Sequence, residues 1–207
     1  HTPEYLVIDI ADAFHNIPLC VSERQYAVAQ VNDTYIVFKV MAMGSKSSPG
    51  IWGRFAAMLA RFTASILLPL NARMQVYVDD PIMVTAGTVE QRSTALAVGI
   101  VALAVWGFPL AWKKAEAGPK ISWIGASLCA GPASARVSIP ADKLSALLDE
   151  THRMLGSSLV QTDQLRSFCG KLSFIAGLLL VVRPFLDQLW AGILVPGRRN
   201  AAWVSTC

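Results

Sequence analysis

Two adjacent carboxylates, Asp79 and Asp80, stand between two apolar segments, Met74–Val78 and Pro81–Val84. Adjacent acids inside an apolar stretch are costly unless they bind a cation, so this pair requires a chemical explanation. The β-favouring residues on both sides predict a hairpin with both acids at its tight turn. The competing interpretation is that the two acids are ordinary turn residues, which is the commoner role for Asp.

A third carboxylate, Asp9, ends the apolar segment Tyr5–Ile8, which predicts a buried strand. Three acids from two strand ends can hold two divalent ions about 3.5–4 Å apart, the arrangement that polymerases use for phosphoryl transfer. We therefore predict that Asp9 lies within metal-bridging distance of the acidic pair, although seventy positions separate Asp9 from Asp79.

The composition is that of a globular protein with a large core. Of 207 residues, 54% are hydrophobic and 15% are charged, which excludes a disordered chain. Residues 1–103 carry 7 Lys/Arg and 8 Asp/Glu (net −1), whereas residues 104–207 carry 11 and 6 (net +5). An acidic half followed by a basic half suits an active site followed by a surface for a phosphate backbone.

Four cysteines, Cys20, Cys129, Cys169 and Cys207, form no CxxC pair and have no zinc-binding spacing with the three histidines. Free and mostly buried thiols are expected, which favours an intracellular location, either cytoplasmic or nuclear. The chain opens without Met and without a signal peptide, so we expect it to be a piece of a longer protein.

The segment Ala95–Trp112 carries no charge and is at the lower length limit for a membrane-spanning helix. Gly99, Gly107 and Pro109 interrupt its apolar run, and two lysines follow it. We therefore predict a buried helix that ends near Trp106, and no membrane partner. A membrane protein is the less favoured alternative.

The predicted elements of the first half follow the order β, ββ, α, ββ, α, an antiparallel sheet backed by helices, which is an α+β fold. One predicted helix opens at Ser48 as cap, with Pro49 at its first position, and runs to about Leu68. On this helix Trp52, Phe55, Leu59 and Phe62 recur at helical spacing and are predicted to form its core face.

The second half begins with a predicted hairpin of Ile121–Leu128 with Arg136–Ile139 and then becomes helical. Helices are predicted over Pro140–Leu155, over 162–182 and over 184–194. The change of character places the domain boundary within residues 129–139.

Six segments, in this order along the chain, resemble the motifs of a reverse transcriptase of the retroviral and LTR-retrotransposon type, a group that includes tyrosine-recombinase elements. They are Asp9–Phe14, Met43–Pro49, Tyr77–Asp80, Trp106–Lys114, Ile121–Gly125 and Leu165–Phe174. The resemblance implies a polymerase palm with part of the fingers over residues 1–128, a hairpin linker over 129–139 and a helical thumb over 140–207.

The same resemblance implies that the chain transfers nucleotides from deoxynucleoside triphosphates to a primer 3′-hydroxyl on an RNA or DNA template. Asp9 and Asp79 would bridge two Mg²⁺ ions, with Mn²⁺ as the alternative, and Asp80 would assist them. Lys114, or its neighbour Lys113, would protonate the leaving pyrophosphate; a solvated lysine after a turn is the alternative.

Nucleotide-binding roles are implied for five residues. Asp12 and Ala13 would offer backbone N–H groups to the triphosphate, and Phe14 would lie beneath the sugar and exclude a 2′-hydroxyl. Met43 replaces the Gln of retroviral enzymes, so contact there would be by packing, and Gly44 would let the backbone approach the nucleotide. Asp12 as a helix cap and Phe14 as a core residue are the alternatives.

Six further residues are implied contacts of the primer or template: Tyr77, Trp123, Gly125, Arg166, Gly170 and Phe174. Arg166, Gly170 and Phe174 are spaced four apart and so share one helix face. Gly170 would admit a sugar-phosphate strand there, and Arg166 would meet phosphate. Trp123 as a plain core residue is the alternative.

Pro81 departs from the expected pattern because it lacks an N–H, and it predicts less regular pairing in the hairpin. The main rival interpretation is a retroelement-derived fragment that binds nucleic acid without catalysis, since no basic fingers precede His1 and no ribonuclease H segment follows. An RNA-templated RNA polymerase shares the palm, but Phe14 and the thumb motif argue against it.

Overall fold

The computed structural model describes residues 2–157 and 159–193, together with the backbone of 201–203. The chain divides into two compact units, His1–Arg136 and Val137–Cys207. The first unit mixes strands and helices and the second is mainly helical, so the predicted α+β class is confirmed.

The first unit contains two long helices and eight strands, with a ninth strand at the boundary of the units. The helices are α1 (Ser48–Leu67) and α2 (Val89–Val105), and the strands are β1 (Glu4–Val7), β2 (Val28–Val31), β3 (Thr34–Val37), β4 (Ala72–Tyr77), β5 (Asp80–Thr85), β6 (Glu116–Gly118), β7 (Lys120–Trp123), β8 (Ala126–Ala130) and β9 (Ala135–Ser138). Short 3-10 helices cover Ala13–Asn16, Val21–Tyr26, Leu68–Leu70 and Trp112–Lys114.

An antiparallel sheet with the order β4-β5-β1-β6 forms the frame of the first unit. Alternate residues of its strands face two different cores, as the period of two in a strand requires. Leu6 and Met83 belong to the core that α1 and α2 cover, whereas Tyr5 and Ile82 pack with Ile121 of the β7–β8 hairpin. Because both faces are covered, the ends of β1 and β5 are held rigidly.

The core face of α1 differs from the predicted one. Phe55 and Phe62 are 38% and 44% exposed, so their assignment to the core is wrong. The buried side chains of α1 beyond its first residue are Trp52, Ala56, Leu59, Thr63 and Leu67. Small residues in this row let α1 approach β4 closely, which moves the bulky rings to the flanks; Phe62 packs edge-on against Trp106 there, with ring centroids 5.2 Å apart.

The start of α1 also differs from the prediction. Ser47 is the N-cap residue, and Ser48 lies inside the helix, fully buried. The Ser48 hydroxyl donates a hydrogen bond of 2.8 Å to the carbonyl of Ala42. Ser48 therefore anchors the preceding loop to the helix instead of capping it.

Helix α2 ends at Val105 with Trp106 as its C-cap, which confirms the predicted end of this helix. In the described part of the chain, one helical segment, Ser48–Leu70, is long and apolar enough to cross a membrane by length and composition. This segment is α1 with the following 3-10 turn, and its buried face packs on β4.

The predicted single strand Ile121–Leu128 is two strands, β7 and β8, joined by a tight turn at Ile124 and Gly125. Both turn residues have positive φ, 42° and 84°, as a type I′ hairpin turn requires. The β-branched side chain of Ile124 is unfavourable at such a position, which explains why residue propensities predicted one strand here, although the family resemblance implied a hairpin over Ile121–Gly125.

The second unit contains α3 (Ala141–Leu155), β10 (Leu159–Gln161), α4 (Thr162–Leu178), α5 (Arg183–Ile193) and β11 (Ala201–Trp203). Helix α4 ends before the predicted residue 182, because a 3-10 turn at Leu180–Val182 separates it from α5. Leu147 of α3, Phe168 of α4 and Leu186 of α5 share one buried cluster. Residue 194, the predicted end of the last helix, lies outside the described residues.

The thiols are less buried than expected. Cys169 is buried in the second unit, but Cys20 and Cys129 are exposed, so the expectation of mostly buried thiols is wrong for these two. Cys207 lies outside the described residues. Burial raises the pKa of the Cys169 thiol.

Candidate functional site

The acidic turn (Tyr77–Asp80) joins β4 to β5 through the two residues Val78 and Asp79, and Tyr77 pairs with Asp80 across it. Of the two acids, only Asp79 is an unpaired residue between the strands, whereas Asp80 is the first residue of β5 and not, as predicted, a loop residue. Val78 has a φ of 56°, which costs a β-branched residue about 1–2 kcal/mol. The turn is strained at the residue that precedes the two acids.

Pro81 does not disturb the hairpin. Val76 pairs with Pro81 in a register that continues unbroken to Ala72 and Thr85, so the expectation of less regular pairing is wrong. The carbonyl of Pro81 accepts a hydrogen bond of 3.2 Å from the N–H of Ile8. The lack of an N–H at Pro81 therefore does not interrupt the pairing of β5 with β4 or with β1.

Asp9 lies beyond the end of β1, directly across from the acidic turn. The N–H of Ile8 donates to Pro81, and the N–H of Ile10 donates to the carbonyl of Asp79 at 2.9 Å. On its other side, the carbonyl of Asp9 accepts a hydrogen bond of 2.8 Å from Ala111. Backbone hydrogen bonds on both sides therefore fix the position of Asp9.

The carboxylate cluster (Asp9, Asp79, Asp80) has one oxygen from each residue within 4.8 Å of the others, and all three residues are half-buried. Burial raises the pKa of Asp80, and the negative charges of Asp79 and Asp9 raise it further. Three oxygen donors of like charge suit a hard divalent cation such as Mg²⁺ or Mn²⁺. The structure thus brings together the three acids that the sequence analysis selected.

Lys114 contacts this cluster. Its ammonium donates a short hydrogen bond to Asp9 while most of its side chain, 70%, is exposed. The hydrogen bond and the charge of Asp9 raise the pKa of Lys114. The N–H of Ala111 donates a hydrogen bond to the carbonyl of Asp9, and Ala111 is the N-cap of the 3-10 turn Trp112–Lys114. This connection brings Lys114 close to Asp9.

The segment after Asp9 turns sharply at Asp12, whose φ is 51°. Asp12 is at the N-cap position of the 3-10 helix Ala13–Asn16, as the alternative interpretation expected, although its side chain makes no capping hydrogen bond. Ala13 is buried, and Phe14 is half-buried with its ring 6.4 Å from that of Trp52. Asn16, which the sequence analysis missed, donates to the Ala11 and Asp12 carbonyls and stabilises this turn.

Met43 and Gly44 lie in the exposed loop before α1. Met43 is 75% exposed, and Gly44 has a φ of 89°. A Cβ at Gly44 would meet no atom within 4 Å in this structure. The backbone conformation therefore accounts for glycine at this position, and the approach of a nucleotide to it stays a prediction.

Two tryptophans donate hydrogen bonds to the backbone of the acidic turn. The Trp123 indole N–H donates to the carbonyl of Asp80 at 3.1 Å, and that of Trp52 donates to the carbonyl of Val78 at 2.7 Å. Tyr77 is 57% exposed beside them. The sequence analysis assigned Trp52 only to the core, because helical spacing does not reveal where an indole N–H points.

In the second unit, the three predicted contact residues of α4 have different surroundings. Arg166 is exposed and forms an ion pair of 2.8 Å with Asp163 of its own helix, and Gly170 is exposed with open space around it. Phe174 is half-buried and lines a cavity of about 750 Å³ between α3 and α4, where the Lys143 ammonium lies 5.5 Å from its ring centroid. Arg166 and Gly170 thus lie on the open surface, whereas Phe174 faces α3.

The family model described as reverse transcriptase (RNA-dependent DNA polymerase) matches residues 3–128. No curated protein sequence matches the chain significantly.

Three structures of foamy viral protease-reverse transcriptase resemble the chain. The complex with an RNA/DNA hybrid has a TM-score of 0.68 at 15% identity, the dRH form with double-stranded DNA 0.68 at 17%, and a further complex with double-stranded DNA 0.63 at 18%. Each match covers 98% of this chain but only 25%, 32% and 38% of the other chain, respectively. At these identities the likeness establishes the fold, which is that of the palm and thumb region of these proteins.

Proposed function

The chain belongs to the reverse transcriptase family, and we propose that it carries the catalytic centre of an RNA-directed DNA polymerase. The reaction is attack of a primer 3′-hydroxyl on the α-phosphorus of a deoxynucleoside triphosphate, with pyrophosphate as the leaving group. The single observation that carries this proposal is the carboxylate cluster, whose three oxygens lie within 4.8 Å of one another.

Asp9, Asp79 and Asp80 would hold two Mg²⁺ ions, with Mn²⁺ as a substitute. Their oxygen donors and their negative charge, which the single ammonium of Lys114 offsets only in part, fit such ions. Burial and like charge already raise the pKa of Asp80. When bound, the two ions lower the pKa of the 3′-hydroxyl and neutralise charge on the triphosphate. The chain's own contribution is to hold three acids at fixed strand ends, so that little rearrangement accompanies binding.

Lys114 would act on the leaving group. Its ammonium is protonated at neutral pH, as that of any lysine is, so a proton is available for the departing pyrophosphate. The contact with Asp9 raises the pKa of Lys114, so the ammonium becomes a better proton donor once it leaves Asp9. The exposed side chain is long enough to leave Asp9 and reach a phosphate oxygen. In that step the ammonium gives up a proton to the pyrophosphate and becomes a neutral amine.

The nucleotide would lie over Asp12, Ala13 and Phe14, with Met43 and Gly44 on the facing loop. Phe14 is suited to sugar selection because its ring packs on the buried indole of Trp52 and so resists displacement. As the family resemblance implies, a ring fixed in this way would lie beneath the sugar and exclude a 2′-hydroxyl. The chain would therefore select deoxynucleotides.

The template and primer would contact Tyr77, Trp123 and Gly125 in the first unit and the exposed face of α4 in the second. The foamy viral proteins were captured with an RNA/DNA hybrid and with double-stranded DNA, which supports both kinds of duplex as partners. Arg166 and Gly170 fit a phosphate backbone, one by charge and the other by the space around it.

The test is primer extension by the chain and by Asp79→Asn on an RNA template with Mg²⁺. The variant keeps the side-chain volume and loses the charge, so we expect a fall in rate of about a thousandfold or more. Asp33→Asn is the matched control, since Asp33 is an exposed acid in the turn between β2 and β3.

The measurement separates the proposed activity from its rival. Extension by the wild type and Asp33→Asn but not by Asp79→Asn supports the polymerase. Duplex binding by all three proteins with no extension by any of them supports a fragment that binds nucleic acid without catalysis.

A further inference from the structure

The acidic turn adopts a conformation that its own residues disfavour. Val78 is β-branched, yet its φ is 56°, in the region that glycine and asparagine prefer. Its side chain is 45% exposed, so burial of that side chain does not compensate fully for the strain. A turn of this kind persists only where surrounding contacts determine it.

Trp52 supplies one such contact. Its indole N–H donates a hydrogen bond of 2.7 Å to the carbonyl of Val78, and the residue is only 1% exposed. The ring is fixed by Phe14 and Phe108, whose centroids lie 6.4 Å and 5.6 Å away. Because the indole has a single donor and cannot rotate in this packing, it specifies where the Val78 carbonyl points.

Trp123 supplies a second contact from a different core. Its indole N–H donates to the carbonyl of Asp80 at 3.1 Å, and its ring packs in the cluster of Tyr5, Ile82 and Ile121 on the other face of the sheet. The two accepting carbonyls, of Val78 and Asp80, lie on either side of Asp79 in the chain. One indole thus holds the peptide before Asp79 and the other the peptide after Asp80.

We propose that Trp52 and Trp123 are positioning residues that hold the strained acidic turn so that Asp79 and Asp80 converge with Asp9 on a divalent cation. This inference rests on the proposed function. Without the Trp52 hydrogen bond, the Val78 carbonyl loses its partner, and the turn is free to rearrange about Val78 and relieve the positive φ of that residue. Such a rearrangement redirects the Asp79 carboxylate, and the affinity for the cation falls.

The experiment measures Mn²⁺ affinity of the full chain, with no nucleotide or primer, by the electron paramagnetic resonance signal of free Mn²⁺. Trp52→Phe keeps an aromatic ring and removes the N–H, and we expect about fivefold weaker binding, which corresponds to one hydrogen bond. Trp123→Phe should weaken binding by a similar or smaller factor, since its hydrogen bond is longer.

Trp106→Phe is the matched control. Trp106 packs against the same core as Trp52, but among the described residues its buried indole N–H has no hydrogen-bond partner. The same substitution there should change Mn²⁺ affinity by less than about twofold. Circular dichroism establishes that each variant is folded at the temperature of the titration.

A second replacement at position 52 tests whether the effect of Trp52→Phe comes from the lost N–H or from disturbed folding. Incorporation of 3-benzothienylalanine at position 52 keeps the size and shape of the indole and replaces its N–H by sulfur. We expect the same weakening of Mn²⁺ binding, because the missing donor and not the missing volume is responsible.

The outcomes distinguish this inference from the proposed function. Weaker Mn²⁺ binding at position 52 than in Trp106→Phe supports the positioning role. Equal affinity in these variants, with binding lost in Asp79→Asn, overturns the positioning role and leaves the polymerase proposal intact. Absence of Mn²⁺ binding by the wild type overturns both.

Discussion

The acidic turn and the exposed face of α4 hold their candidate residues in different ways. Asp9 and Asp79 are seventy positions apart and meet only because β1 pairs with β5. Arg166 and Gly170 are four positions apart and share a helix face by periodicity alone. The first arrangement depends on tertiary structure and the second on local structure.

The two regions also differ in energetic character. The carboxylate cluster combines half-buried like charges with a strained turn, so each of its contacts matters to the others. The Arg166–Asp163 pair is exposed on both sides and is worth at most about 1 kcal/mol. Substitutions should therefore have large, specific effects around the turn and small, additive effects on α4.

The sharpest test of this contrast is Phe14→Val, which should reduce discrimination against ribonucleotides by about tenfold to a hundredfold. The smaller side chain makes room for a 2′-hydroxyl. The measurement compares incorporation efficiencies for matched ribo- and deoxynucleotides. Phe108→Val is the control, because Phe108 contacts the same Trp52 ring; equal changes in both variants would point to general loosening of the core.

Gly99→Ala should lower the free energy of unfolding by about 0.5–2 kcal/mol, because the cost of overpacking exceeds the roughly 0.5–1 kcal/mol that Ala gains over Gly inside a helix. A Cβ at this buried position of α2 would lie 2.3 Å from the Met83 sulfur of β5. Urea denaturation measures the change. In Gly53→Ala of α1, the new Cβ meets nothing within 4 Å, and we expect a gain of about 0.5–1 kcal/mol. A Gly99→Ala variant whose free energy of unfolding is not lowered would contradict close packing of α2 on the sheet.

Asp80→Asn should stabilise the fold increasingly as the pH rises above about 4. The folded-state pKa of Asp80 is raised, so the folded protein keeps a proton that the unfolded chain has lost, and stability of the wild type falls across this window. Asn does not titrate in this range, so Asp80→Asn does not lose stability in this way as the pH rises. Urea denaturation from about pH 4 to about pH 8 measures the difference.

Saturating Mg²⁺ supplies the control for the Asp80 measurement. A cation bound by the carboxylate cluster stabilises the wild type more than Asp80→Asn, so the difference should shrink or reverse. A difference in stability between the wild type and Asp80→Asn that changes with neither pH nor Mg²⁺ would contradict an electrostatic origin.

The smallest effect is expected for Arg166→Ala, which should weaken duplex binding about threefold and reduce the slope of log affinity against log salt by about one. Fluorescence anisotropy at several salt concentrations gives both numbers. Arg153→Ala removes the same charge from α3, where Arg153 faces Glu150, and should leave the slope unchanged. Ribonucleotide discrimination should stay unchanged in Arg166→Ala, the opposite of Phe14→Val.

Local chemistry made several features predictable. Continuous apolar runs located β1 and β5, and the breaks at Gly107 and Pro109 located the end of α2. The choice of Asp9, Asp79 and Asp80 rested on residue type and on the order of the motifs. The predictions were wrong where burial depends on which residues pack against the next element. Phe55 and Phe62 are exposed because the face of α1 that packs on the sheet contains small residues instead.

The turn at Ile124 and the strand pairing at Pro81 show the same limit. Ile124 occupies a positive φ that its side chain disfavours, and the packing of β7 and β8 against the sheet outweighs that preference. The strand register continues through Pro81 because the Pro81 carbonyl accepts a hydrogen bond from the N–H of Ile8. Sequence patterns do not predict the direction of that carbonyl.

The sequence by itself determined the fold class through apolar periodicity, and it determined the family and the acids at the candidate site through the resemblance of its ordered motifs. Periodicity and motif order are properties of the chain. Only the tertiary structure decided that Lys114 contacts Asp9 and that Trp52 and Trp123 hold the acidic turn. The direction of an ammonium or an indole N–H depends on the packing of elements far apart in the chain, and no local pattern encodes it.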